Sequence, residues 1–121
     1  MKTNVIEFRL KLYPKDFYGV RHFYETDLGF TVLSEWDHGE HDKGVMFQVG
    51  TTTLELLSPK DKYTPVAGVD VSWEVSGIRS LWEEWKDKEN VVFPISDNSW
   101  GDTSFCISDP EGFKITFFTK H

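Results

Sequence analysis

One cysteine, Cys106, stands in 121 residues. No intrachain disulfide is therefore available, and a reducing cytoplasm is the expected compartment. Its neighbours Phe105 and Ile107 mark Cys106 as a small buried hydrophobe rather than a nucleophile. Basic residues are few: 13 Lys and Arg against 20 Asp and Glu leave a net charge of −7. That balance, with no Lys/Arg stripe, does not neutralise a phosphate backbone, so no nucleic-acid partner is expected. An anionic membrane surface would repel the chain for the same reason. No apolar run approaches the roughly 20 residues of a spanning helix. The first four residues lead into no signal-type stretch, so a chain with no membrane segment is expected. Also lacking are a Ser-His-Asp order, a nucleophile elbow and a glycine run that would cradle phosphate.

Aromatic residues, by contrast, are abundant, with 10 Phe, 5 Trp and 4 Tyr. Disordered chains are poor in such residues, so a folded core is expected. At this length about two-thirds of the unfolded surface becomes buried, enough for one domain without staples.

Ile6, Phe8, Leu10 and Leu12 alternate with Glu7, Arg9 and Lys11, which predicts a strand over residues 5–12. Asp16 then caps a helix whose core stripe is Phe17, Val20, Phe23, Tyr24 and Leu28, and Gly29 ends it. Strands follow over 30–36, 45–49 and 52–57, the last two turning at Gly50-Thr51. The polar stretch 37–44 is a loop. His38 and His41 within it read as solvated, and His22 as a surface position. After a linker over 58–68 the same order returns. A strand spans 69–75, and a helix carries Ile78, Leu81, Trp82 and Trp85 on its buried face. Strands then cover 91–95, 103–108 and 114–119, the last two joined around Asp109-Pro110-Glu111-Gly112. The chain reads as βαβββ twice, with module one at 1–60 and module two at 69–121. Adding 61 carries Phe8, Leu10 and Leu12 onto Val69, Val71 and Trp73, and Glu55 onto Thr116.

Four motifs in order carry a resemblance. Phe23-Tyr24-Glu25-Thr26-Asp27-Leu28-Gly29-Phe30 looks like an FYxxxLGF helix end. Thr53-Leu54-Glu55-Leu56 and Ser72-Trp73-Glu74-Val75 match two strands, and Trp100-Gly101 precedes Ser108-Asp109-Pro110-Glu111-Gly112-Phe113. Together they resemble the vicinal oxygen chelate superfamily of glyoxalase I, bleomycin-resistance proteins and extradiol dioxygenases. The resemblance implies an α+β fold, in which two βαβββ modules curl mixed sheets around a shared cavity, within a single domain over 1–121.

It also implies where a metal would be held: on the first and last strand of each module, at Arg9 and Glu55, then Asp70 and Thr116, with Glu7 an alternative for the first position. Arg9 has no lone pair to give, and none of the four is His. The implied reading is a metal-free small-molecule binder, with a cationic or aromatic ligand. Arg9 is expected to pair with Glu55 or Asp70, and Arg9, Glu55, Asp70, Trp100, Thr116 and Phe118 to meet the ligand. The inward face also includes Lys11, Ser72 and Glu74. The alternative is a lyase, isomerase or dioxygenase-like enzyme that uses one divalent ion on Glu55, Asp70 and Glu7, with Glu55 the candidate general base. A non-catalytic interaction module is a third possibility. The family commonly pairs, and open sheet edges need covering, so a homodimer is expected.

Overall fold

Alternation of apolar and charged residues places Leu10 and Leu12 on one face of the first strand and Arg9 and Lys11 on the other. That division organises the first unit. A computed structural model describes residues 1–59 and 61–121; Lys60, inside the expected linker, lies outside the described residues. The chain divides into two units, Met1–Pro65 and Val66–His121.

In the first unit β1 (Arg9–Leu12) is followed by α1 (Phe17–His22), a π-helical turn (Phe23–Asp27), β2 (Thr31–Asp37), β3 (Lys43–Val49) and β4 (Thr52–Leu57). The second repeats the plan with β5 (Val71–Glu74), α2 (Ile78–Trp85), β6 (Val91–Asn98), β7 (Asp102–Ser108) and β8 (Lys114–Lys120). The sheets have matching orders, β1-β4-β3-β2 and β5-β8-β7-β6. In each, the first strand runs parallel to the last and the other pairs are antiparallel. The fold is α+β, built from two four-stranded mixed sheets.

The 61-residue offset holds in the hydrogen-bonded register. Leu10 pairs with Leu54 and Leu12 with Leu56, while Val71 pairs with Ile115 and Trp73 with Phe117. On the third strand the offset is 60, since Val45 faces Leu56 as Phe105 faces Phe117. The second hairpin is one residue longer. Its turn is organised by buried Asp109, whose Oδ1 accepts from the backbone N–H of Glu111 (2.9 Å) and Phe113 (3.0 Å). Gly112 supplies the positive φ of 86° that such a turn demands.

The first strand is shorter than the alternation predicts. Its ladder begins at Arg9 opposite Thr53. Residues before Phe8 would need partners before Thr52, where the chain already turns at Gly50-Thr51. Val5 and Ile6 therefore stay exposed, Ile6 by 88%, and Phe8 is exposed as well. Likewise β5 begins at Val71, leaving Val69 and Asp70 outside it.

The first helix also departs from plain α spacing. Asp16 caps it, its Oδ1 accepting from Gly19 N–H at 3.1 Å. From Phe23 the turn widens, with Leu28 N–H donating to the Phe23 carbonyl at 2.9 Å. A wider turn lets adjacent Phe23 and Tyr24 both face the core, and both are buried. Gly29, at φ 74°, reverses the chain so that Phe30 stacks on Tyr24, ring centroids 6.3 Å apart. Leu28 is only half-buried.

In α2, Ile78 and Trp85 are buried but Leu81 and Trp82 are half-buried. At about 100° per residue Ile78 and Trp85 sit at the centre of the stripe, with Leu81 and Trp82 on its flanks. Trp82 still packs on Phe105, centroids 5.2 Å apart. Val45, Phe47, Leu54 and Leu56 complete one core, and Ile107, Ile115 and Phe117 the other. Among the described residues no helix is long and apolar enough to cross a membrane.

Candidate functional site

Each sheet has one face on its own core and one open face. In the first unit the open face carries Arg9 and Lys11 from β1 and Glu55 from β4. Lys11 and Glu55 are register partners, side by side on adjacent strands. Arg9 directs its donors at Glu7: Nε lies 2.9 Å from Oε1 and Nη2 3.4 Å from Oε2. Its Nη1 is 3.9 Å from Glu55 Oε1, an ion-pair distance but not a hydrogen bond. The hydrogen bond to Glu7, then the charges of Glu7 and Glu55, raise the Arg9 pKa above its ordinary value. Arg9 is thus a fixed cation, anchored first on Glu7.

Glu55 is only 8% exposed and accepts no hydrogen bond among the described residues. It opens with Lys11, Tyr13 and Leu57 into a cavity of about 500 Å³. The other walls are the ends of the loop before β3 and the segment after β4, and hydrogen bonds join them. Lys43 N–H donates to Ser58 Oγ (3.0 Å), Ser58 N–H donates to the Lys43 carbonyl (2.9 Å), and His41 Nδ1 lies 3.3 Å from the Pro59 carbonyl. This ties the cavity walls into one frame.

The second unit bears different chemistry at matching places. Ser72 is the register partner of Thr116 as Lys11 is of Glu55. Ser72, Thr116, Ser104, Asp102, Phe118 and Trp100 line a basin of about 280 Å³. Asn98 Nδ2 donates to Asp102 Oδ1 (2.7 Å) and Ser104 Oγ (2.8 Å), while Ser96 Oγ donates to Asn98 Oδ1 (2.9 Å). Trp100 is 76% exposed at the rim. Asp70 lies ahead of β5, exposed. Cys106 is buried, as its neighbours imply.

Arg9 and Glu55 therefore share one open face, as Thr116, Phe118 and Trp100 share one basin. Lys11, Asp102, Ser104 and Asn98 were not among the expected ligand residues. A signal for two of them was present: Ser104 faces Phe118 across the β7–β8 ladder, and Asp102 is two residues before it on the same face.

A family model for the Glyoxalase/Bleomycin resistance protein/Dioxygenase superfamily matches residues 8–117. The chain belongs to that superfamily. Among curated proteins no match is found. Solved structures of similar fold include a member of this superfamily from Sphaerobacter thermophilus DSM 20745. Its TM-score is 0.79 at 16% identity, covering 97% of this chain and 98% of that one. A glyoxalase/bleomycin resistance protein/dioxygenase from Nocardioides gives TM-score 0.74 at 18% identity, covering 99% and 86%. A lactoylglutathione lyase from Agrobacterium tumefaciens gives 0.67 at 20%, covering 98% and 95%. At such identities the likeness is one of fold, and function has to be argued from the site.

The positions at which the superfamily resemblance implies metal ligands do not form a donor set here. Arg9 is a cation with no acceptor, and Thr116 offers only a hydroxyl. Glu55 is the one carboxylate of the four on an open sheet face within a strand. Among the described residues, no three His, Cys, Asp or Glu side chains are grouped where they could hold an ion. These residues do not fit a transition-metal centre.

Proposed function

We propose that this member of the glyoxalase/bleomycin-resistance/dioxygenase superfamily is a small-molecule-binding protein that works without a metal. The observation that carries the reading is Arg9, bound to Glu7 at 2.9 Å and facing Glu55 at 3.9 Å. A guanidinium stands where a ligand-bearing side chain would be needed. Arg9 and Glu55 in the first unit, and Asp70, Thr116, Phe118 and Trp100 in the second, are the ligand-binding residues of this proposal. Exposed Trp100 and adjacent Phe118 favour an aromatic or cationic group, which an indole face attracts. Both cavities are of the size of small-molecule sites or slightly below it.

The test is elemental analysis of purified protein, followed by a thermal-shift screen of aromatic and cationic compounds. A ligand at 100 times its Kd adds about 2.7 kcal/mol of stability. Stoichiometric zinc, nickel, iron or manganese in the wild type would overturn the metal-free reading. Nearly buried Glu55, with no hydrogen bond among the described residues, supports a second reading in which it serves as a general base. Turnover that disappears in Glu55→Gln would select that reading. The proposal includes a cytoplasmic homodimer, supported by exposed Val5, Ile6 and Phe8, and light scattering at tens of micromolar tests the dimer.

A further inference from the structure

Lys11 and Glu55 are neighbours across the parallel β1–β4 ladder, on one face and lining one cavity. Neighbouring strands are about 5 Å apart, so their side chains start within reach of each other. Yet among the described residues no ion pair within 4 Å joins them, and Glu55 pairs only with Arg9, at 3.9 Å. Lys11 has neither ion pair nor hydrogen bond among the described residues. The Glu55 side chain, 11% exposed, brings to the cavity a carboxylate that accepts no hydrogen bond among the described residues, and exposed Lys11 brings an ammonium to the same wall. The wider wall repeats this mixture, with Asp61 and Lys62 both lining it.

We infer that the first unit's cavity binds a small zwitterion of the α-amino acid class. Glu55 accepts hydrogen bonds from its ammonium group and Lys11 donates to its carboxylate. In such a ligand one carbon separates the two charges, which suits a pair of opposite charges on adjacent strands. A simple cation would be repelled by Lys11, and a simple anion by Glu55. Tyr13, partly exposed on the same wall, offers apolar surface to the ligand's side chain. The hydrogen bonds between Lys43 and Ser58 and between His41 and Pro59 hold the walls in place before binding, which limits the ordering cost. This inference rests on the small-molecule-binding reading and names the ligand class for its first-unit residues.

The experiment is calorimetric titration of the whole protein with the twenty common L-α-amino acids, each beside its decarboxylated amine and its deaminated acid. At least one amino acid is expected to bind, with both analogues roughly 10- to 100-fold weaker, the factor carried by a hydrogen bond to a charged group. Lys11→Met should make amino acid and amine bind alike, and Glu55→Gln should make amino acid and deaminated acid bind alike. Should Glu55→Gln fail to fold, amide chemical-shift mapping on the wild type takes its place, with Lys11 and Glu55 expected among the largest shifts. An amine that binds as tightly as its amino acid, or a panel with no binding amino acid, overturns the inference. If a neutral or singly charged aromatic compound then binds at Trp100, the small-molecule-binding reading survives without it. If that wider set is also silent, both fail.

Discussion

The two units share a plan and differ on one face. Leu10, Leu12, Leu54 and Leu56 correspond through the 61-residue offset to Val71, Trp73, Ile115 and Phe117, all directed at their own cores. On the opposite face the same ladder carries Lys11 beside Glu55 in one unit and Ser72 beside Thr116 in the other. Side chains alternate along a strand, so one face is held to apolar residues by packing while the other is free to take up chemistry. One open face is ionic, the other hydroxylic and aromatic. Scaffold and site can therefore be altered separately in this fold, and matched substitutions test the separation.

Core truncation should have the largest effect, and a similar one in both units. Leu54→Ala and Ile115→Ala each remove a fully buried side chain at offset-related positions, at a cost of about 2–5 kcal/mol. Urea denaturation measures both, and a cost in only one unit would break the equivalence of the two cores. The turns should differ next. Asp109→Ala strips two backbone N–H groups of their acceptor, at about 1–3 kcal/mol each if they find no water. Thr51→Ala, in the exposed two-residue turn of the first unit, should stay within about 0.5 kcal/mol of wild type.

The open faces are distinguished by what they can ligate. Arg9→His places an imidazole beside Glu7 and Glu55, so measurable zinc binding should appear by calorimetric titration. Asp70→His, its counterpart by the 61-residue offset, has Thr116 rather than a carboxylate at the position matching Glu55 and should gain nothing comparable. Equal zinc binding by both variants would deny the asymmetry.

Much of the scaffold was legible in the sequence because packing imposes a period. Alternation located the strands, the offset fixed matching registers, and Gly29 with Phe30 marked the end of the first helix. The π turn was not legible: adjacent buried Phe23 and Tyr24 fit an α-helical stripe about as well. Nor was the start of β1, since Ile6 alternates correctly but its register position falls in the turn at Gly50, before β4 begins. At the site, strand period placed Arg9, Lys11 and Glu55 on one face, but it does not specify the torsions of long side chains. The choice of Glu7 as Arg9's hydrogen-bond partner, two residues away, depended on those torsions.

The smallest effect concerns one matched acidic position. Asp37 faces Lys43 at the end of the β2–β3 ladder, and Asp97 faces Thr103 at the corresponding place in β6–β7. Asp37 Oδ1 accepts from its own loop, from Gly39 N–H at 3.0 Å. Asp97 Oδ1 accepts from Thr103 Oγ1 at 2.6 Å and from Arg79 Nη2 at 2.9 Å. The Thr103 hydrogen bond, more than the charges of Arg79 and His121, holds the Asp97 carboxyl below its ordinary value against a smaller opposing effect of burial. A carboxyl whose folded pKa is depressed adds stability that is present above its unfolded pKa and fades as pH falls through the folded one. The second unit should therefore lose a small increment of stability in acid, below the normal aspartate range. Thr103→Val removes the main cause, so the Asp97 pKa should rise toward its ordinary value. Side-chain NMR titration of Asp97 reads the change; an unmoved Asp97 in Thr103→Val would assign its depression to Arg79 and His121 instead.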